Sequence, residues 1–154
     1  MLICAGGGTG SFTLVFTFAN NLAGTIGQNV ANPSVASGPG SVVPAGTGIG
    51  PAQNQYTVNL TGVTNGQYVT VALNNAVDAA GFSGVVSTTM GALVGDTTSD
   101  GSVNSADISQ TKSRSGQNVG QNNFRSDVTV DGSLNSADIS LVKSKSGTAL
   151  PSAP

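Results

Sequence analysis

"DTTSDGSVNSAD" occupies Asp96–Asp107, and thirty-one residues further on the chain writes "DVTVDGSLNSAD", Asp127–Asp138. The 154 residues include only seven acidic ones, all Asp, and six of these lie inside the two stretches; the seventh is Asp78. The five basic residues, Lys112, Arg114, Arg125, Lys143 and Lys145, also follow residue 95, so one charged side chain serves the whole of the first 95 residues. The likeness extends beyond the acids. "GDTTSDGSVNSADISQTKSRSG" and "SDVTVDGSLNSADISLVKSKSG" share Asp, Thr, Asp-Gly-Ser, Asn-Ser-Ala-Asp-Ile-Ser, Lys-Ser and Ser-Gly at matching places, which makes residues 95–147 an internal duplication.

Counting from Asp96 as position 1, oxygen-bearing side chains fall at positions 1 (Asp96), 3 (Thr98), 5 (Asp100), 9 (Asn104) and 12 (Asp107). Gly101 stands at position 6, and Ser102 at position 7 offers its carbonyl. The second copy repeats this with Asp127, Thr129, Asp131, Ser133, Asn135 and Asp138 around Gly132. Gly at position 6 of a twelve-residue oxygen-rich loop is the spacing that wraps a hard cation such as Ca²⁺. Three carboxylates on one short loop repel one another unless a cation neutralises them. Two Ca²⁺ ions are therefore expected, taking the formal net charge from -2 to +2. Mg²⁺ is the weaker candidate because it retains several waters, and a pair of ion-free Asp-Gly turns is the plain alternative. Val103 and Leu134 at position 8 are expected to point into the core and pair the loops, with Phe124, in the stretch between the copies, as an apolar plug.

Each loop is followed by a short basic helical segment, "SADISQTKSRSG" or "SADISLVKSKSG", with no helix before it. In this the duplication resembles the calcium-binding segments of dockerin type I domains, over residues 95–147. The resemblance implies a loop–helix pair with approximate twofold symmetry and a cohesin-like partner. It implies a contact surface near Ser105, Ala106, Lys112, Ser136, Ala137 and Lys143, for which a solvated face is the other reading. Two departures stand out: Thr98 and Thr129 occupy a position where dockerins carry Asn or Asp, and the helices are Ser-rich and poor in Leu.

The first part of the chain reads as strands. In "SFTLVFTFA" Phe12, Leu14, Phe16 and Phe18 alternate with smaller or polar residues, the period of a half-buried strand. A Gly-, Pro- and Asn-rich tract over residues 20–53 follows, in which "SVV" or "GTIGQNVA" could supply short strands. "QYTVNLTGV" and "YVTVALNN" alternate again, and the intervening "TNGQ" predicts a hairpin. "DAAG" at Asp78–Gly81 predicts a turn, and "GVVSTTMGALVG" further strand. Short strands at this spacing predict a β-sandwich. It is similar to bacterial immunoglobulin-like domains, with "VTVALNNAVDAAG" as the late strand and turn. The expected fold class is thus mainly β, an immunoglobulin-like β-sandwich over residues 1–94 followed by a small dockerin-like pair of calcium loop–helix motifs over 95–154.

Composition narrows the function. No His is present, and the single Cys4 precludes both a disulfide within the chain and a Cys/His zinc cluster. With the loop carboxylates assigned, no nucleophile and base can be paired, so the chain is expected to be non-enzymatic. An acidic balance without a basic stripe speaks against nucleic acid, and no apolar run reaches the length of a membrane span. Two functions remain. One is an extracellular or cell-surface structural protein that self-assembles into a filament or adhesive array, adding a strand at Leu2–Cys4 or Phe12–Phe18 to a neighbouring copy, with the Gly-rich start and "TALPSAP" end held by that assembly. The other is a docking module that binds a cohesin-like partner and tethers a larger secreted protein.

Overall fold

The computed structural model describes residues 2–6 and 10–153. The expected ordering of "AGGGTG" therefore falls partly outside the described residues, at Gly7–Thr9. Among the described residues seven strands are formed: β1 Leu2–Cys4, β2 Phe12–Thr17, β3 Pro33–Ser37, β4 Ser41–Ile49, β5 Gln55–Thr61, β6 Gln67–Val77 and β7 Ser83–Ala92. Two helices follow, α1 Ser105–Arg114 and α2 Ser136–Lys145, with a 3₁₀ turn at Phe124–Ser126. The chain is mainly β, as the alternating runs predict. By packing, the described residues form two units: one comprises residues 10–63 and 69–89, the other residues 2–6, 64–68 and 90–153.

In the first unit, β2, β5 and β4 form an antiparallel sheet in that order. Register places Leu14 beside Val58 and Phe16 beside Tyr56, so the alternate residues read from the sequence share one face. Leu14, Phe16, Tyr56, Val58 and Leu60 are buried, as are Val69, Val71 and Leu73 of β6, which pairs antiparallel with β3. Each such side chain contributes about 1.5–3 kcal/mol on leaving water. Two sheets that each bury one apolar face give a sandwich-like arrangement.

Two local expectations change. "TNGQ" closes no hairpin, because β5 belongs to the sheet of β2 and β4 while β6 joins the sheet of β3 and β7. A two-residue type I′ hairpin needs positive φ at both central residues; Gly66 has φ +75, but Asn65 is not among the positive-φ residues. "GTIGQNVA" forms no strand, although Gly27 N–H and Gln28 O bond Ile49. That close approach requires Gly48, at φ +157, since a Cβ there would lie 2.7 Å from Gly27 O. "SVV" does lie in a strand, β4, whose register with β5 slips between Val43 and Gly48. The extra residues are fastened by Thr47 Oγ1 donating to Val43 O (2.6 Å) and accepting from Asn59 N–H (3.0 Å).

Asp78 closes the predicted turn between β6 and β7. Its carboxylate accepts from Asn20 Nδ2 and from the N–H groups of Ala80 and Phe82, at 2.9 to 3.0 Å. The Asn20 bond first, and then the backbone bonds, hold its pKa below the usual carboxylate value. Beyond the turn, Phe82 (75% exposed), immediately before β7, and Val85 (68%), near its start, stand in solvent.

In the second unit β1 pairs in parallel with the end of β7, Leu2 opposite Met90 and Cys4 opposite Ala92. This strand, expected to add to a neighbouring copy, pairs on one side within the chain and forms the edge of its sheet. Cys4 is half-buried, and burial raises its pKa. A core of Leu93, Val103, Val128 and Val142, flanked by Ile108, Leu141 and Leu150, lies beneath the two helices. Phe124 has no place among them: it stands 56% exposed at the head of the 3₁₀ turn, so the expected plug is no plug.

Candidate metal centre

Each repeat folds as a loop that turns directly into a helix. Asn104 is the N-cap of α1, its side chain accepting from Ala106 N–H at 2.8 Å, while Asp107 Oδ2 accepts from Asn104 N–H at 2.8 Å. Asn135 and Asp138 do the same for α2, at 2.7 and 2.9 Å. This reciprocal capping satisfies two of the helix's free N–H groups. Positions 9 and 12 of the sequence pattern are therefore helix-starting groups as well as ligand candidates, which ties the loop geometry to the helix.

At the other end Asp96 closes the turn. Its Oδ1 accepts from Asp100 N–H (3.1 Å) and its Oδ2 from Gly101 N–H (2.9 Å); Asp127 receives the same two bonds from Asp131 and Gly132 at 3.1 and 3.0 Å. The turn needs positive φ at Gly101 (+85) and Gly132 (+81), as position 6 predicts. It also imposes φ +66 on Ser99 and +59 on Val130 at position 4. For a β-branched residue such as Val130 that is a rare backbone state, and nothing in the residue type signals it.

The carboxylates of Asp96, Asp100 and Asp107 offer oxygens that all lie within 4.8 Å of one another, with Asp96 and Asp107 fully buried. Among the described residues this is the one acidic triplet so gathered. Thr98 at position 3 sits among them: its hydroxyl donates to Asp107 Oδ1 at 2.9 Å and approaches Asp96 Oδ1 at 3.4 Å. In the second loop Thr129 donates to Asp138 Oδ1 at 2.8 Å, and Asp138 is likewise fully buried. The hydroxyl proton is thus shared with carboxylates, leaving the Thr oxygen lone pairs as its only offering to a cation. Ser102 and Ser133 each donate N–H to the position-5 Asp, at 2.9 and 2.8 Å, which fixes the backbone at position 7. Buried like charges drawn together around all-oxygen donors fit a hard divalent cation, and the donor set suits Ca²⁺ better than Mg²⁺.

Val103 and Leu134 are buried as expected. Their backbones bond to segments beyond the helices. Val103 exchanges backbone bonds with Thr148 O and Gly147 N–H (2.8 Å each), while Leu134 O accepts from Gly116 N–H at 2.7 Å. Each loop is thus bridged to the segment that follows the other repeat's helix, Ser102 to Ala149 and Ser133 to Asn118, an arrangement with approximate twofold symmetry. The sequence also gave no sign of Arg125, whose Nη2 donates to Asp96 O at 3.0 Å, or of Gln110, whose Nε2 donates to Thr97 O at 2.7 Å. Both side chains fix the backbone of the first loop. Ser105, Ala106, Lys112, Ser136, Ala137 and Lys143 are all exposed on the helices.

No helix among the described residues is long and apolar enough to cross a membrane. Neither a curated protein nor a solved structure matches the chain. Residues 94–145, about a third of its length, match the family model of the dockerin type I domain, the resemblance that the spacing of the two loops had suggested.

Proposed function

We propose that the chain is a non-catalytic extracellular docking module. Two Ca²⁺ ions, held by Asp96, Thr98, Asp100, the Ser102 carbonyl, Asn104 and Asp107 and by Asp127, Thr129, Asp131, the Ser133 carbonyl, Asn135 and Asp138, would fix a pair of helices that grips a cohesin-like partner. The observation that carries this reading is the dockerin type I match at residues 94–145 over two capped acidic loops. The exposed residues near the start of both helices, Ser105 and Ala106, Ser136 and Ala137, give a partner the same surface twice. In this reading the preceding strands are an immunoglobulin-like spacer. Titration of the chain with a panel of type I cohesins in millimolar calcium tests it. Saturable binding that a chelator abolishes is expected; no binding to any of them would sink it.

The alternative, a calcium-stiffened subunit of a surface fibre, is favoured by one observation, the exposed apolar residues Phe82, just before β7, and Val85, within its uncharged first half. Uncharged apolar strand edges promote association between chains. Electron microscopy in calcium separates the readings: filaments support the fibre, dispersed particles the docking module.

A further inference from the structure

We infer that residues 4–6 and the Asn65–Gly66 turn form a clamp that positions both candidate calcium loops; this rests on the calcium reading above. The segment leading into the first loop is held from two sides. Leu93 N–H donates to Cys4 O (3.1 Å) and Gly95 N–H to Ala5 O (2.8 Å), whereas Ala92 O accepts from Gly66 N–H (2.6 Å) and Val94 N–H donates to Asn65 Oδ1 (2.6 Å). The alternation follows from extended backbone, whose successive N–H groups face opposite ways. Asp96 comes next, its own N–H bonded to Leu93 O at 3.2 Å, and Leu93 is anchored in the core with Val103, Val128 and Val142.

The N-terminal segment then reaches the second loop. A Cβ on Gly6 would lie 3.2 Å from Asp127 O, 3.3 Å from Val130 Cγ2 and 3.4 Å from Val128 Cα. One short segment therefore abuts the start of both loops, and none of its residues falls inside the matched span of 94–145. A buried carboxylate such as Asp96 binds a cation best when its backbone is fixed beforehand, because ordering it then costs nothing on binding. Groups that orient metal ligands from behind are worth about ten- to a hundredfold in affinity. By linkage, calcium must in turn tighten the clamp.

Calorimetric calcium titration of the full chain, with the amide resonances of Gly101 and Gly132 reporting each loop, tests the clamp. Asn65→Ala removes the acceptor of Val94 N–H and is expected to weaken the first loop by about tenfold, with the second loop little changed. Asn65→Asp keeps an acceptor oxygen and restores the site. Gly6→Val crowds Asp127 and Val130 and weakens the second loop instead, giving an independent variant should Asn65→Ala fail to fold. Hydrogen exchange of the Leu93 and Gly95 amides should slow when calcium is added. Unchanged affinities in both variants, with exchange at these amides indifferent to calcium, would overturn the clamp while leaving the metal reading intact. A wild-type chain that binds no calcium would overturn both.

Discussion

The two candidate calcium loops share their oxygen-bearing positions and differ in what holds them. Around the first, polar groups do the holding: Arg125 and Gln110 donate to the Asp96 and Thr97 carbonyls, and Asn104 Nδ2 reaches Asp100 Oδ2 at 3.4 Å. Thr111 hydrogen-bonds Asp107 O at 2.8 Å within the helix. In the second loop the equivalents of Thr97, Gln110 and Thr111 are Val128, Leu141 and Val142, all part of the apolar core or packed on it. Asp96 is fully buried, whereas Asp127 is only half-buried. Both loops share the same turn and capping bonds and one apolar core; the first adds polar side-chain bonds where the second adds packing. A duplicated binding pattern can therefore stay constant while its support diverges, provided each copy fixes its backbone by some means.

Removing calcium should test both loops at once and have the largest effect. An ion that binds only the folded form stabilises it by about 2.7 kcal/mol per site at a hundredfold excess over its dissociation constant. Chelation should accordingly lower the melting temperature of the helical signal well below its value in calcium; equal melting in both conditions would remove calcium from the structure's support. Splitting the effect by loop comes next. Asp107→Ala and Asp138→Ala each delete a ligand candidate and half of a capping box, and each should reduce the calorimetric stoichiometry from two ions to one. A stoichiometry still at two would show that position 12 is not a ligand. Below these in size, Val142→Ala cuts into the packed support of the second loop. It should cost about 2 kcal/mol, read as a shift in the urea midpoint with the first loop's calcium affinity retained.

What the sequence made legible follows the same division. The repeated loop, the turn glycines Gly101 and Gly132 and the buried position-8 residues were readable because residue type and position carry that information directly, and the duplication doubled it. The alternation in β2, β5 and β6 correctly marked the buried faces. It could not reveal that β5 and β6 lie in different sheets, since a strand facing another across a core and a strand beside it in a hairpin bury the same alternate residues. Phe124 looked like core material, yet it stands exposed, and Leu93 from before the repeats and Leu150 from after them join the core. The bonds from Cys4 O and Ala5 O to residues 93 and 95 are backbone acceptors, to which no residue type is specific. Local chemistry was legible; partners distant in sequence were not.

The smallest predicted effect sharpens the comparison most, because it exchanges one kind of support for the other. Thr111 and Val142 are equivalent, both essentially fully buried, and nearly the same shape. Thr111→Val would remove the hydroxyl that donates to Asp107 O, a carbonyl that also lies 3.4 Å from Thr97 Oγ1 and whose N–H partner within the helix remains. Losing a hydrogen bond of this kind costs about 1 kcal/mol when the partner is stranded, but an apolar group of the same shape in a packed site regains part of it through burial. The net change should lie within about 0.5 kcal/mol of zero, by chemical denaturation in calcium. If the first loop's support is a coupled polar network, the same substitution will exceed that limit and lower calcium affinity as well, and the two loops would then not be interchangeable solutions to one problem.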